Sequence, residues 1–395
     1  MEQEESAYIT SVNLKGYKSI RDVSVTLNKG LNILIGANGS GKTNFLEFLD
    51  FAYENDYENL FDVTNKFETQ IIKNTPFVKM KGERVFQKNI KYRVEINYGE
   101  GNKHGYLLND DKKIVKYEEA ENDIPDYETM LLLRFENPIS LILKEKISLK
   151  VSVFSIVDKK TREHLEATAP KYILTEIKSF NKNNVFLGRL FNYFNDSYDS
   201  LKTIIENQPF DFKELQRNLA LFSPIQNIKL DWEITRTTIK EDEIGQYALI
   251  EGIDFQFYVN NEWINWTQLS DGTKRLFYLI GSVTYATENE IILIEEPELG
   301  VHPHQLALLM NFLKSESEDK QIIISTHSPQ VLNCLGEDEL DRIIVARHEG
   351  KAGTKLYHLS EEEKGYASAY MINEAFLSDY WVLSEFMNEE PTENG

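Results

Sequence analysis

Gly36-Ala37-Asn38-Gly39-Ser40-Gly41-Lys42-Thr43 is the stretch that decides how this chain folds. It satisfies the spacing G-x-x-x-x-G-K-[ST] and lies between an apolar, strand-like run, Leu31 to Ile35, and a helix-like run, Asn44 to Tyr53. A strand, a glycine-rich turn and a helix in that order make a phosphate loop. Gly36, Gly39 and Gly41 permit the curl that turns backbone N–H groups inward, and the helix presents its positive N-terminal end to the same anion. Asn38 and Ser40 complete the cradle. Lys42 supplies a point charge for the β and γ phosphates and the Thr43 hydroxyl a ligand for Mg²⁺, so Mg²⁺·ATP or Mg²⁺·GTP is the implied ligand.

The 395 residues exceed one ordinary core, which predicts a large domain with insertions or two to three units. With 41% hydrophobic and 27% charged residues the composition is globular and excludes a disordered or fibrous chain. The single cysteine, Cys334, cannot form an internal disulfide, and no Cys-x-x-Cys pair is present, so a reducing, cytoplasmic location is expected. The polar start, Met1 to Ser6, and the lack of a long apolar run predict neither a leader nor a membrane anchor. A net charge of −21 opposes indiscriminate binding to a phosphate backbone. The run Lys144 to Lys150 reads either as a local basic groove or as a solvated strand edge.

Period-2 alternation in Tyr8 to Leu14 and Val23 to Leu27 predicts two half-buried strands ahead of the loop. Further strands are expected at Ile90 to Tyr98 and Gly105 to Lys116, the latter turning at Asn109-Asp110-Asp111, and β character continues at Leu131 to Phe135 and Lys146 to Val157. From about Lys171 to Leu221, apolar residues such as Leu187, Leu190, Phe191 and Phe194 fall at helical spacing and predict a helical lobe. Strands return at Ile225 to Ile234 and Gln246 to Trp266, with a hairpin turn at Asn260-Asn261. Then helix and strand alternate: a helix from Gly272 to about Ala286, a strand Ile291 to Ile294, a helix from near Pro303, and a strand Gln321 to Ser325. Short apolar runs between helices are what strands buried on both faces look like, and ligands of such parallel sheets bind at the strands' carboxyl ends.

Three later segments supply the remaining chemistry. Leu269-Ser270-Asp271-Gly272-Thr273-Lys274-Arg275 offers a serine hydroxyl and a glycine N–H at a helix start, read either as a second anion site or as an ordinary helix cap. Ile291-Ile292-Leu293-Ile294-Glu295-Glu296-Pro297-Glu298 ends a buried strand in acids, one suited to hold Mg²⁺ through water and the next to deprotonate an attacking water. Ser325-Thr326-His327-Ser328-Pro329 places a histidine at the end of the next strand, within reach of a γ-phosphate.

In that order the segments resemble those of the ATP-binding cassette ATPases. The resemblance makes Lys42 and Thr43 the Walker A pair, puts Ser270 and Gly272 in the signature, and gives Glu296 the role of catalytic glutamate and His327 that of switch histidine. Glu295 stands where the family usually has aspartate, and Glu298 to His302 occupies the D-loop position. For the Q-loop glutamine, Gln70 and Gln87 stay open alternatives. The signature departs from the transporter form at Asp271 and Thr273. The opening Leu14-Lys15-Gly16-Tyr17-Lys18-Ser19-Ile20 and Glu296-Pro297-Glu298 with His302-Pro303 resemble the RecF, SMC-like and OLD group. The chain is similar in particular to the ATPase halves of two-gene phage-defence systems such as PARIS, Septu and the RloA type. No acidic set of a Toprim nuclease follows His327, and there is neither a long heptad run nor a zinc hook.

The resemblance implies an α/β fold: an ABC ATPase head with an N-terminal antiparallel β-subdomain, a parallel α/β core and an inserted helical lobe. The expected segments are 1–120 (Walker A), 121–235 (inserted lobe), 236–348 (signature, Walker B and switch histidine) and 349–395 (helical extension). By resemblance two heads close around ATP and Mg²⁺, giving a homodimer or a higher oligomer of such dimers. A cytoplasmic ATPase that senses or scaffolds, and controls a separate nuclease or toxin, is the leading expectation. The alternative is a DNA repair or maintenance ATPase that clamps DNA directly, which leaves direct nucleic-acid contact open. The C-terminal helix, about Glu361 to Met387 with Leu377, Trp381 and Phe386, is read either as a partner contact or as packed on its own core.

Overall fold

The computed structural model describes residues 8–53, 66–72, 78–87, 90–98, 102–108, 114–119, 140–141, 151–157, 173–176, 212–241, 246–284, 286, 291–373 and 376–384. The chain divides into two compact units, Met1–Ile142 together with Thr287–Gly395, and Leu143–Ala286.

The first unit is built on a 13-stranded sheet. Its strands before the insertion are β1 (Tyr8–Tyr17), β2 (Ile20–Thr26), β3 (Leu31–Ile35), β4 (Lys66–Ile72), β5 (Val78–Gln87), β6 (Ile90–Tyr98), β7 (Asn102–Leu108), β8 (Ile114–Glu119) and β9 (Ser140–Leu141). After it come β15 (Ile291–Glu295), β16 (Gln321–Thr326), β17 (Ile343–His348) and β18 (Thr354–His358), the numbers between belonging to the second unit. The order β8-β7-β6-β5-β4-β1-β2-β18-β17-β3-β16-β15-β9 joins an antiparallel half to a core in which β17, β3, β16, β15 and β9 run parallel. The hairpin expected around Asn109-Asp110-Asp111 is present as the antiparallel pair β7 and β8, although its turn lies outside the described residues.

Burial follows the two sequence patterns. β1 and β2 alternate inward apolar and outward polar residues, whereas every residue of β3 and β16 is buried, as strands covered on both faces require. Helix α1 (Lys42–Tyr53) follows the phosphate loop and sinks Phe45, Leu46, Phe48 and Leu49 into a cluster with Ile9, Val12, Tyr17, Leu34, Leu293 and Ile323. The Phe48 and Tyr17 rings meet edge to face with centroids 5.7 Å apart. Each of those side chains contributes about 2 kcal/mol of gross transfer energy, which ties the loop's helix to the sheet. One buried amide locks the strand ends: Gln321 donates to Ile9 O (2.9 Å) and Asn28 O (2.8 Å) and accepts from Ile9 N (2.9 Å).

The second unit holds β10 (Val151–Val157), β11 (Ile173–Glu176), β12 (Ile225–Glu241), β13 (Gln246–Val259) and β14 (Glu262–Asn265) in a five-stranded antiparallel sheet. Asn260 and Asn261 have φ of 51° and 68°, the left-handed pair that a two-residue hairpin turn demands. Helices α2 (Lys213–Leu219) and α3 (Asp271–Thr284) pack together, and Phe257, Trp266, Phe277 and Tyr278 form a ring cluster with centroids 5.3–5.7 Å apart. Of the stretch expected as a helical lobe, 173–176 is strand and 213–219 is helix; Leu187, Leu190, Phe191 and Phe194 lie outside the described residues, as do Leu131 to Phe135 and Lys144 to Lys150.

After β15 the first unit continues with α4 (Pro303–Glu316), and it ends in α5 (Glu361–Asn373) and α6 (Leu377–Leu383). The single C-terminal helix expected from the sequence is therefore two. Leu377 and Trp381 are buried against the short 3₁₀ turn Pro329–Cys334, which decides for packing on the chain's own core. Asn333 holds the start of α6, accepting from Ser378 N (2.9 Å) and donating to Ser378 Oγ (3.0 Å). Phe386 lies outside the described residues. No helix among the described residues is long and apolar enough to cross a membrane.

Candidate active site

Register puts the chemistry at one edge. Ile35, the last residue of β3, is level with Thr326 of β16 and Val345 of β17, and Glu295 of β15 is level with Ser325. The phosphate loop, Glu296 and His327 therefore leave three neighbouring parallel strands at their carboxyl ends, where parallel sheets bind ligands.

The loop's shape depends on its glycines in two ways. A Cβ on Gly36 would sit 2.1 Å from the carbonyl oxygen of Ala346, a backbone contact that no side-chain movement relieves. Gly39 has φ of 79° but nothing within 4 Å of an added Cβ, so it answers to conformation alone and faces open space. Lys42 is buried, and its ammonium donates back to Gly36 O (2.8 Å), Ala37 O (3.0 Å) and Ser40 Oγ (3.5 Å). Burial lowers its pKa, while Glu296, Glu298 and Glu295 pull it up again.

The acids face the lysine from β15. Thr43 donates its hydroxyl to a Glu295 carboxylate oxygen. Glu296 adopts φ of 48°, a left-handed conformation that costs a non-glycine residue energy, and its N–H donates to Ser325 O (2.7 Å). Its Oε1 lies 3.0 Å from His327 Nδ1, and Glu298 Oε1 lies 3.7 Å from the same nitrogen. Glu298 also accepts from the Thr326 hydroxyl (2.6 Å), which anchors the turn that carries Glu296.

Between these groups is a cavity of about 220 Å³ lined by Ser19, Asn38, Gly39, Gly41, Lys42, Thr43, Asn44, Glu295, Glu296, Ser325 and His348. The Ser325 hydroxyl is buried there without a protein hydrogen-bond partner. Among the described residues no three His, Cys, Asp or Glu side chains are grouped to hold an ion unaided. Two adjacent hard oxygen ligands, Thr43 and Glu295, with an unsatisfied hydroxyl beside them fit Mg²⁺, which keeps waters and takes its other ligands from phosphates.

Of the predicted residues, Asn38, Gly39, Gly41, Lys42, Thr43, Glu295 and Glu296 line this cavity; His327 does not line it but hydrogen-bonds Glu296. Gly36 and Ser40 shape the loop from beneath, in contact with Ala346 O and with Lys42 respectively. Ser270 and Gly272 belong to the second unit, at the start of α3, where Ser270 Oγ accepts from Thr273 N (3.2 Å) and is exposed. Gln70 and Gln87 lie in β4 and β5 of the antiparallel half. Sequence reasoning missed Ser19, Asn44, Ser325 and His348 as cavity residues. Ser325 opens the segment that carries His327, Asn44 follows the phosphate loop and Ser19 lies in the run Leu14 to Ile20, but His348 carries no local signal.

A phosphate loop on a buried central strand, the next two parallel strands on one side of it ending in histidine and acid, and an antiparallel half-sheet define an ATPase head of the ATP-binding cassette and SMC-like class. The chain belongs to the family described as "AAA domain, putative AbiEii toxin, Type IV TA system", which matches residues 31–333. It is similar to Endonuclease GajA of Bacillus cereus (strain VD045), at 21% identity over 97% of this chain and 66% of that protein. It is also similar to Septu protein PtuA of Bacillus thuringiensis, at 22% identity over 84% of this chain and 74% of that one. The chain thus spans just under two thirds of the endonuclease's length. The crystal structure of an Smc head domain with a coiled coil and joint from Pyrococcus yayanosii shares the fold, with a TM-score of 0.50 and 12% identity over 93% of this chain and all of that one.

Proposed function

We propose that this protein binds and hydrolyses ATP between two copies of itself, and that the nucleotide-bound dimer acts as a sensor or scaffold controlling a separate effector in antiviral defence. The observation that carries the reading is the meeting of Lys42, Thr43, Glu295 and Glu296 around one cavity, with His327 hydrogen-bonded to Glu296, all drawn from three strand ends. Lys42 leaves its backbone carbonyls for the β and γ phosphates. Thr43 and Glu295 would hold Mg²⁺, which neutralises phosphate charge when bound. Glu296, oriented by His327, accepts a proton from the attacking water as the oxygen bonds to the γ-phosphorus and the bond to ADP breaks. Its strained backbone is the kind of feature that persists where surrounding structure over-determines it, as at active sites.

Ser270 and Gly272 complete the reading as the group that one copy offers to the nucleotide of the other, a role the exposure of Ser270 supports. A ligand buried between copies favours the closed dimer by its differential affinity, and cleavage withdraws that term. The defence role draws on the two relatives, and the effector would be a nuclease or toxin outside this chain. The test is phosphate release by purified protein with Mg²⁺·ATP, with light scattering for mass. Mg²⁺-dependent release lost in Lys42→Ala, and a dimer that Glu296→Gln holds with ATP, are expected; no release from the wild type would reject hydrolysis.

A further inference from the structure

The sheet order gives the nucleotide cavity a direction. The acids that meet a terminal phosphate stand on the β15 and β16 side of the phosphate loop. A triphosphate lying along the loop therefore carries its nucleoside away from them, toward β17, β18 and the turn between β1 and β2. On that side β17 runs past the end of β3, since Val345 is level with Ile35, and it ends in His348, which lines the cavity.

This wall is held tightly against the loop. Thr354 N donates to Ser19 O (2.9 Å), the Ser19 and Thr354 hydroxyls are 2.7 Å apart, and Asn44 Nδ2 donates to Ser19 Oγ (2.7 Å). A Cβ on Gly353 would come within 2.4 Å of Ser19 O, and one on Gly41 within 2.1 Å of Thr354 Oγ1. The hairpin of β17 and β18 is thus fitted to the β1–β2 turn and to the loop with no spare room. The Ser19 and Thr354 hydroxyls and the Asn44 amide nitrogen are hydrogen-bonded to one another. His348, paired in register with Thr354 and exposed at the end of β17, is the aromatic side chain among the residues lining the cavity.

We infer that His348 is the nucleoside-recognising residue of the site, stacking its imidazole on the base of the bound nucleoside triphosphate. The inference rests on the nucleotide reading above and adds which end of the ligand lies where. Stacking acts on a π-face that every base has, so it distinguishes a nucleotide from a bare polyphosphate more than one base from another.

The experiment is calorimetric titration of the full chain with Mg²⁺·ATP and with Mg²⁺·tripolyphosphate, for wild type, His348→Ala, His348→Phe and Lys42→Ala. His348→Ala should weaken ATP about 10-fold, the scale of one lost base–aromatic stack, and leave tripolyphosphate unchanged. His348→Phe should restore ATP binding, because the aromatic face returns. Lys42→Ala should weaken both ligands. Unchanged ATP affinity in His348→Ala, or an equal loss for both ligands, would overturn the inference while Lys42→Ala still upheld the nucleotide site. Failure of the wild type to bind either ligand would overturn both.

Discussion

Replacing Glu296 separates three things: its proposed role as proton acceptor, its contact with His327 and its left-handed backbone. Glutamine keeps the length and can still hydrogen-bond His327, whose Nδ1 is 3.0 Å from the present carboxylate, but it cannot take up a proton at neutral pH. Loss of a general base costs about 10²- to 10⁴-fold in rate, or about 3–5 kcal/mol of transition-state stabilisation. Glu296→Gln should therefore lower single-turnover phosphate release by at least about 10²-fold at unchanged ATP affinity. The backbone term is read by a second pair. Glycine and alanine both delete the carboxylate, so their difference isolates the cost of φ at 48°, about 1–2 kcal/mol for a side chain in the left-handed region. Glu296→Gly should melt about 2–4 °C above Glu296→Ala by scanning calorimetry, with both inactive. Hydrolysis at the wild-type rate in Glu296→Gln would refute the base assignment, and equal melting of glycine and alanine variants would refute the strain.

Gly36→Ala forces a methyl to 2.1 Å from Ala346 O and must part β3 from β17, so thermal stability and ATP binding should fall together; Gly39→Ala meets nothing within 4 Å and bears only the cost of φ at 79°, about 1–2 kcal/mol, so its melting temperature should fall by about 2–4 °C in scanning calorimetry, less than that of Gly36→Ala. Burial pushes the Cys334 thiol up to about 11, leaving little thiolate at pH 8; a disulfide reagent should titrate it slowly in the native protein and rapidly in urea.

Where a signal is local, the chain announces it. The loop from Gly36 to Thr43 is one contiguous turn, β1 and β2 alternate because one face of each is wet, and β3 and β16 are unbroken apolar runs because both faces are covered. The acids after β15 and the histidine after β16 were legible as residue types at strand ends. Their pairing was not, because it depends on β16 lying beside both β3 and β15 in one register. The C-terminal helices show the same divide. Spacing gave helical character, but Asn333, 45 residues before Ser378, decides where α6 starts, and the 3₁₀ turn it belongs to decides that Leu377 and Trp381 turn inward.

The sequence by itself determined the phosphate loop and the alternation of strand and helix around it, since each is encoded within a few consecutive residues. Only tertiary structure decided that Ala346 presses on Gly36, that Glu296 is bent into a left-handed conformation beside His327, and that His348 lines the same cavity as the loop. Those outcomes arise from strands hundreds of residues apart in the chain packing side by side, and close packing, unlike periodicity, leaves no mark on the order of neighbouring residues.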